Sequence, residues 1–189
     1  MVRPDREPLR PFVQADETLV GGKGSPHKEL VLVAAEADGR VRLAHADNND
    51  EGTLKSFADG QIAADAQVVT DGLASYNSES LGERPHQAVI QSKQQRRESD
   101  ALQGCHWTTS LLKRWLLGTH AGAVKPKHLQ AYLDEFAFRH NRRKTNGVGR
   151  IAARVIEQLV ARGPLPMRKI IDESTRCRWF TSAQHAAPT

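Results

Sequence analysis

With 189 residues, 39% of them hydrophobic and 26% charged, the chain can bury one substantial core and is short for two. Its 27 Lys and Arg against 22 Asp and Glu give a net charge of +5, which favours a polyanionic partner such as nucleic acid without establishing one. The two cysteines, Cys105 and Cys177, form no Cys-x-x-Cys pair, which excludes a zinc ribbon and a disulfide framework and leaves free thiols; the sequence also lacks a signal-like apolar segment or a run of about 18 apolar residues, so a cytoplasmic protein with no membrane partner is expected.

Residues 1–11, with three prolines and alternating charges, read as an extended leader, and order is expected from Phe12. FVQADETLV, ELVLVAAEA and RVRLAHA are β-rich runs. Asp38-Gly39 joins the last two as a hairpin, and GGKGSPHK before them is too rich in glycine and proline for regular structure. A helix over 51–64 follows, weakened by Gly60 and carrying Leu54, Phe57 and Ile62. QVVTD and HQAVIQ read as short buried strands separated by a helical turn, and together these elements imply a mixed sheet covered by helices.

The polar stretch SKQQRRESDALQG has no periodicity and is expected to be a mobile loop. WTTSLLKRWLL then forms an amphipathic helix with Leu111, Leu112, Trp115 and Leu116 on one side and Gly118 as its stop. KPKHLQAYLDEFAFRHNRR opens with Pro126 in a first-turn position and carries Leu129, Tyr132, Leu133 and Phe136 at helical spacing. GRIAARVIEQLVARG makes a last helix, and residues 172–189 are an unpatterned tail, which leaves 12–171 as the domain.

Asp16 lies inside the first expected strand and Asp71 at the end of a later one, so both carboxylates can project from one sheet towards a common point. Acids so placed suit two Mg²⁺ ions about 3.5–4 Å apart, the arrangement that serves phosphoryl transfer. Either Asp alone is as readily a turn or cap residue. Lys113, Arg114, Arg139, Arg142, Arg143 and Lys144 form a basic series suited to phosphate contacts, and some of them will be only solvated. Trp115 falls on the apolar stripe and is expected in the core, whereas Trp107 is free to stack on a base. His27, His120 and His128 lack ligand spacing and read as loop or surface residues, and the Gly21-Gly22-Lys23-Gly24 run reads as a flexible connection.

Four ordered segments, FVQADETLVGGKG, VVTDGLASY, SLLKRWLLGTHAGAV and KPKHLQAYLDEFAFRHNRR, closely resemble the ISXO-like family of bacterial insertion-sequence transposases, with the likeness running from Phe12 to Arg143. The resemblance implies an α/β, ribonuclease H-like fold, a DDE-type enzyme for DNA cleavage and strand transfer using Mg²⁺ or Mn²⁺, DNA as partner, and a homo-oligomer on that DNA. A small-molecule substrate is not expected. It matches Asp16 of the D-E-T motif to the first catalytic acid and Asp71 of T-D-G to the second. Glu17 alternates to the other strand face and is expected outside the site. Lys113, within L-L-K-R, is implied as a contact to phosphate near the scissile bond.

The third position departs from the family pattern. Where relatives carry Asn-x-x-Glu, this chain has Gln103 and His106, the latter 35 residues after Asp71 as the third acid usually is. An imidazole binds divalent ions but suits Mn²⁺ better than Mg²⁺, and it can accept a proton near pH 7. Glu98, Asp100 and Glu135 are alternative carboxylates. The alternative reading is a truncated remnant that binds DNA or a sister transposase without cutting, since relatives carry an upstream zinc-ribbon and helical DNA-recognition region and Met1 lies only 15 residues before Asp16.

Overall fold

The computed structural model describes residues 6–21, 28–36, 39–121, 124–161, 163–164 and 166–167. Strands β1 (Phe12–Val20), β2 (Glu29–Glu36) and β3 (Val41–Ala46) are followed by helix α1 (Glu51–Gln61), β4 (Gln67–Thr70), α2 (Ser78–Leu81) and β5 (His86–Ala88). Helices α3 (Lys93–Glu98), α4 (Gln103–His120), α5 (Pro126–His140) and α6 (Val148–Val160) complete the chain order. The sheet order is β3-β2-β1-β4-β5, antiparallel among the first three strands and parallel through β1, β4 and β5. This is the expected ribonuclease H-like mixed sheet.

Strand alternation divides the core into two layers. Val13, Ala15, Leu32 and Ala34 face Leu54, Phe57 and Ala58 of α1, whereas Val31, Val33 and Ala35 on the opposite face meet Leu112 and Leu116 of α4 and Leu129 and Leu133 of α5. β2 is thus covered on both faces, which is why ELVLVAAE is a continuous apolar run. α1 starts at Asp50, whose carboxylate accepts from the Thr53 amide, and α5 starts with Pro126 in its first turn, where a missing N–H costs nothing.

Several expectations are corrected. Packing begins before Phe12: Leu9 is fully buried, and its backbone bonds to Gln61 and Ala63 beside an isolated parallel bridge to Ile62. The expected mobile loop after Gln91 holds α3, opened by a capping box between Ser92 and Gln95. α4 starts at Gln103, ahead of Trp107, and runs past Gly118 to His120. β5 has three exposed residues and forms a sheet edge where a longer buried strand was expected. The Gly22-Lys23-Gly24 run, His27, Asp38, Cys177 and the tail lie outside the described residues. Among the described residues no helix is long and apolar enough to cross a membrane.

Candidate active site

β1 pairs with β4 in parallel only through Phe12, Val13 and Gln14, opposite Gln67, Val68 and Val69. Carrying that register forward brings Asp71, one residue past the end of β4, alongside Asp16. Gly72 then turns the chain at φ 88°, a region that favours glycine, and Ile90 occupies the space a Cβ would need. The Leu73 amide donates to the Asp71 carboxylate (3.1 Å) and fixes its orientation.

α4 is docked on β1 by a side chain on which the sequence is silent. Gln14 Oε1 accepts from the amides of Gly104 (2.7 Å) and Cys105 (3.3 Å), and the buried Cys105 thiol donates to the Gln14 carbonyl. This close approach places His106 over Asp16, with Nε2 3.5 Å from Asp16 Oδ2. His106 Nδ1 lies 2.6 Å from Asp100 Oδ2, while the other Asp100 oxygen accepts from the Leu102 amide. Asp100 is therefore the partner of the imidazole, which orients its second nitrogen towards Asp16.

Glu17 joins the acids, against expectation. Ligand atoms of Asp16, Glu17 and Asp71 all lie within 4.8 Å of one another. Alternation does send Asp16 and Glu17 to opposite faces, but β4 has ended at Thr70, and both side chains reach Asp71 around the strand end. Burial raises the Asp16 carboxyl above its ordinary value; the Glu17 amide and His106 oppose that shift, and Asp71 adds to it. Glu17 is pushed up to about 7, chiefly by burial, with the neighbouring Tyr76 hydroxyl opposing and the charges of Asp16 and Asp71 contributing. The Tyr76 phenol is raised in turn, by burial and then by Glu17. Carboxylates crowded this way repel one another, and a divalent cation is the group that removes the repulsion.

A family model described as the ISXO2-like transposase domain matches residues 8–141, a span that includes Asp16, Asp71 and His106. The chain belongs to that family. It is a DDE-type transposase catalytic domain. No curated protein matches the sequence. Among solved structures it is similar to a chain of the simian T-cell lymphotropic virus intasome in complex with PP2A regulatory subunit B56 gamma, at 14% identity and TM-score 0.48, covering 74% of this chain and about half, 50%, of that one. It is also similar to the HTLV-2 integrase catalytic core domain in complex with magnesium, at 16% identity and TM-score 0.44 for the trimeric form and 15% and 0.45 for the dimeric form, each over 70% of this chain and 87% of that one.

The expected DNA contacts of this transposase domain divide into two groups. Lys113 and Arg114 are exposed on α4, the helix that carries His106. Arg139, Arg142 and Arg143 lie elsewhere, at the end of α5 beside edge strand β3, and each has an internal partner: Arg139 pairs with Glu135 (2.7 Å), Arg142 lies 3.9 Å over the Phe138 ring, and Arg143 donates to the Gly39 and His140 carbonyls. Glu135 is accordingly remote from the acids. Trp107 is exposed and Trp115 packs against Phe136, as expected. His120 is corrected from a surface role, since its ring packs against Tyr132 with centroids 4.1 Å apart and a 39° tilt, and meets the edge of Trp115.

Proposed function

We propose that Asp16 and Asp71, with Glu17 beside them and His106 as the nitrogen ligand, hold two divalent ions and cut DNA at the ends of an insertion sequence. The observation that carries this reading is the convergence of three carboxylates within 4.8 Å at the position of the family's two acid motifs. The donor set fits a cation: three oxygen ligands suit Mg²⁺, and an imidazole 3.5 Å from one of them favours Mn²⁺. Bound there, the metal pair would supply Lewis-acid stabilisation of the attacking and leaving oxygens of an in-line displacement.

The protein's own groups perform the rest. Asp16 and Asp71 would hold at the strand end the ions against which the reacting phosphodiester lies, and Glu17 lies beside them. His106, oriented by Asp100, would keep its Nε2 lone pair for the cation, so the proton of the attacking water passes through solvent to the leaving DNA 3′-oxygen as the water oxygen bonds to phosphorus. In strand transfer that 3′-hydroxyl is the nucleophile, one phosphodiester forms as another breaks, and Lys113 contacts the flanking phosphate. Acting on two ends at once calls for a homo-oligomer assembled on the DNA.

The purified protein should nick a terminal-repeat duplex with Mg²⁺ or Mn²⁺. Asp71→Asn should lose cleavage by at least about 10²-fold while keeping its fold and its DNA affinity. His106→Ala should be inactive and His106→Glu should retain or raise Mg²⁺-dependent cleavage; if both leave the rate unchanged, His106 is not a ligand. Absence of cleavage by folded wild-type protein in either metal refutes the enzyme. The histidine in place of an acid favours one other reading, a domain that binds DNA without cutting, which requires salt-dependent binding equal in wild type and Asp71→Asn and cleavage by neither.

A further inference from the structure

At the β3 edge of the sheet, remote from β4 and β5, a groove of about 410 Å³ opens between β3, α5 and α6. Arg6, Arg40, Arg42, Arg142, Arg150 and Arg154 line it, against a single lining carboxylate, Asp134. Neighbouring acids offset part of this charge: Glu36 and Glu7 pair with Arg40, and Glu157 with Arg154. Two donors in its wall are nevertheless unmet. Arg42 is 7% exposed and gives two nitrogens to the carbonyls of Val41 and Glu7, but its Nε has no partner. Gln158 is 9% exposed, and neither its Nε2 nor its Oε1 has a partner.

Leaving a buried guanidinium N–H and a buried amide unsatisfied costs more than either group returns by packing, unless an acceptor enters the groove. Burial, followed by the charges of Arg6 and Arg40, pulls the Arg42 guanidinium down to about 10, so the cations of this groove repel one another. An oxyanion satisfies the two unmet donors and relieves the repulsion, because its oxygens accept from Arg42 Nε and Gln158 Nε2 while its charge offsets the arginines. Arg150 and Arg154 stand exposed at the groove's outer wall on α6, where an extended polyanion can pass, and Arg150 has no side-chain ion pair among the described residues. Arg42 pairs with Ala34 and Ala34 with Ala15, so the row of residues neighbouring Asp16 runs straight to the groove. The two backbones are two strand spacings apart, about 10 Å, and a duplex carries a charge every ~1.7 Å of its axis.

The geometry points to this groove as a second DNA-backbone site, which grips phosphodiester groups with Arg42, Gln158, Arg150 and Arg154 away from the acids. It rests on the reading that the domain acts on DNA, and it assigns that DNA a hold independent of metal.

The test is fluorescence anisotropy of a labelled mixed-sequence duplex, without metal, over about 50–200 mM salt. Arg150→Ala/Arg154→Ala changes only exposed side chains and should fold normally. Two lost phosphate contacts should lower the slope of log affinity against log salt by about 2 and weaken binding about tenfold. Gln158→Leu and Arg42→Lys should weaken it several-fold with circular dichroism unchanged. An unchanged slope and affinity in the folded double variant overturns the site. So does a thermal shift by inorganic phosphate that Arg42→Lys abolishes with duplex affinity intact, since the groove then takes a small anion. Cleavage is assayed separately: a wild type that binds through the groove yet never nicks refutes the catalytic reading alone, and one that nicks while the double variant binds normally refutes the groove alone.

Discussion

Glu17 is a carboxyl whose neighbours change its chemistry. Its pKa rises from 4.5 to about 7, so between those values the folded protein binds a proton that the unfolded chain has released. The stability this provides is fully present below about 4.5 and is lost as pH rises through about 7. After allowance for partial exposure the loss is on the order of 1–2 kcal/mol. In metal-free protein, Glu17→Gln should therefore be more stable than wild type at pH 8, with the difference vanishing towards pH 4, as read by thermal melts across that range. Parallel curves for the two proteins would show that Glu17 is not held at a raised pKa. Strand alternation placed Glu17 outside the site because it says which face a side chain leaves from and nothing of where a neighbouring strand stops. Asp16 and Asp71 were legible in the D-E-T and T-D-G motifs; Gln14, which docks α4 on β1, carries no local signal.

At the scale of elements, the segment from Ser92 to His120 sets the position of His106. The charged run KQQRRE reads as solvated loop, yet Ser92 and Gln95 at capping-box spacing marked a helix start, and Leu102 and Cys105 extend the apolar stripe of Leu112 and Leu116 back beyond Trp107. A buried cysteine counted as apolar recovers the true beginning of α4. Gly104 permits the docking of that helix, since a Cβ there would lie 2.8 Å from Gln14 Oε1 and 3.3 Å from Ala35 Cβ. Gln14 cannot swing aside without releasing the amides of Gly104 and Cys105. Overpacking costs about 1–3 kcal/mol and alanine recovers up to ~1 kcal/mol of helix propensity, so Gly104→Ala should destabilise by about 1 kcal/mol. By moving His106 off Asp16 it should also slow cleavage about tenfold. Unchanged stability and rate would mean that α4 does not depend on this close contact.

Across the whole molecule, the sheet is continuous from edge strand β3 to edge strand β5, and Leu9, ahead of β1, packs into the core beneath it. Leu9 enters the layer formed with Leu54, Phe57 and Ile62, so Leu9→Ala should cost about 2–5 kcal/mol, measured as a lower urea midpoint. A shift worth less than about 1 kcal/mol would return Leu9 to the expected extended leader. What the sequence by itself determined was local or patterned: period-two strands, helical stripes, the hairpin, and the acid motifs that name the family, because each is written within a few consecutive residues. Only the tertiary structure decided that Glu17 reaches Asp71, that Asp100 orients His106, and that arginines from four separate segments surround one groove. Those relations depend on where strands end and helices dock, and for the groove they join Arg6 to Arg154, 148 positions apart, which no local periodicity encodes.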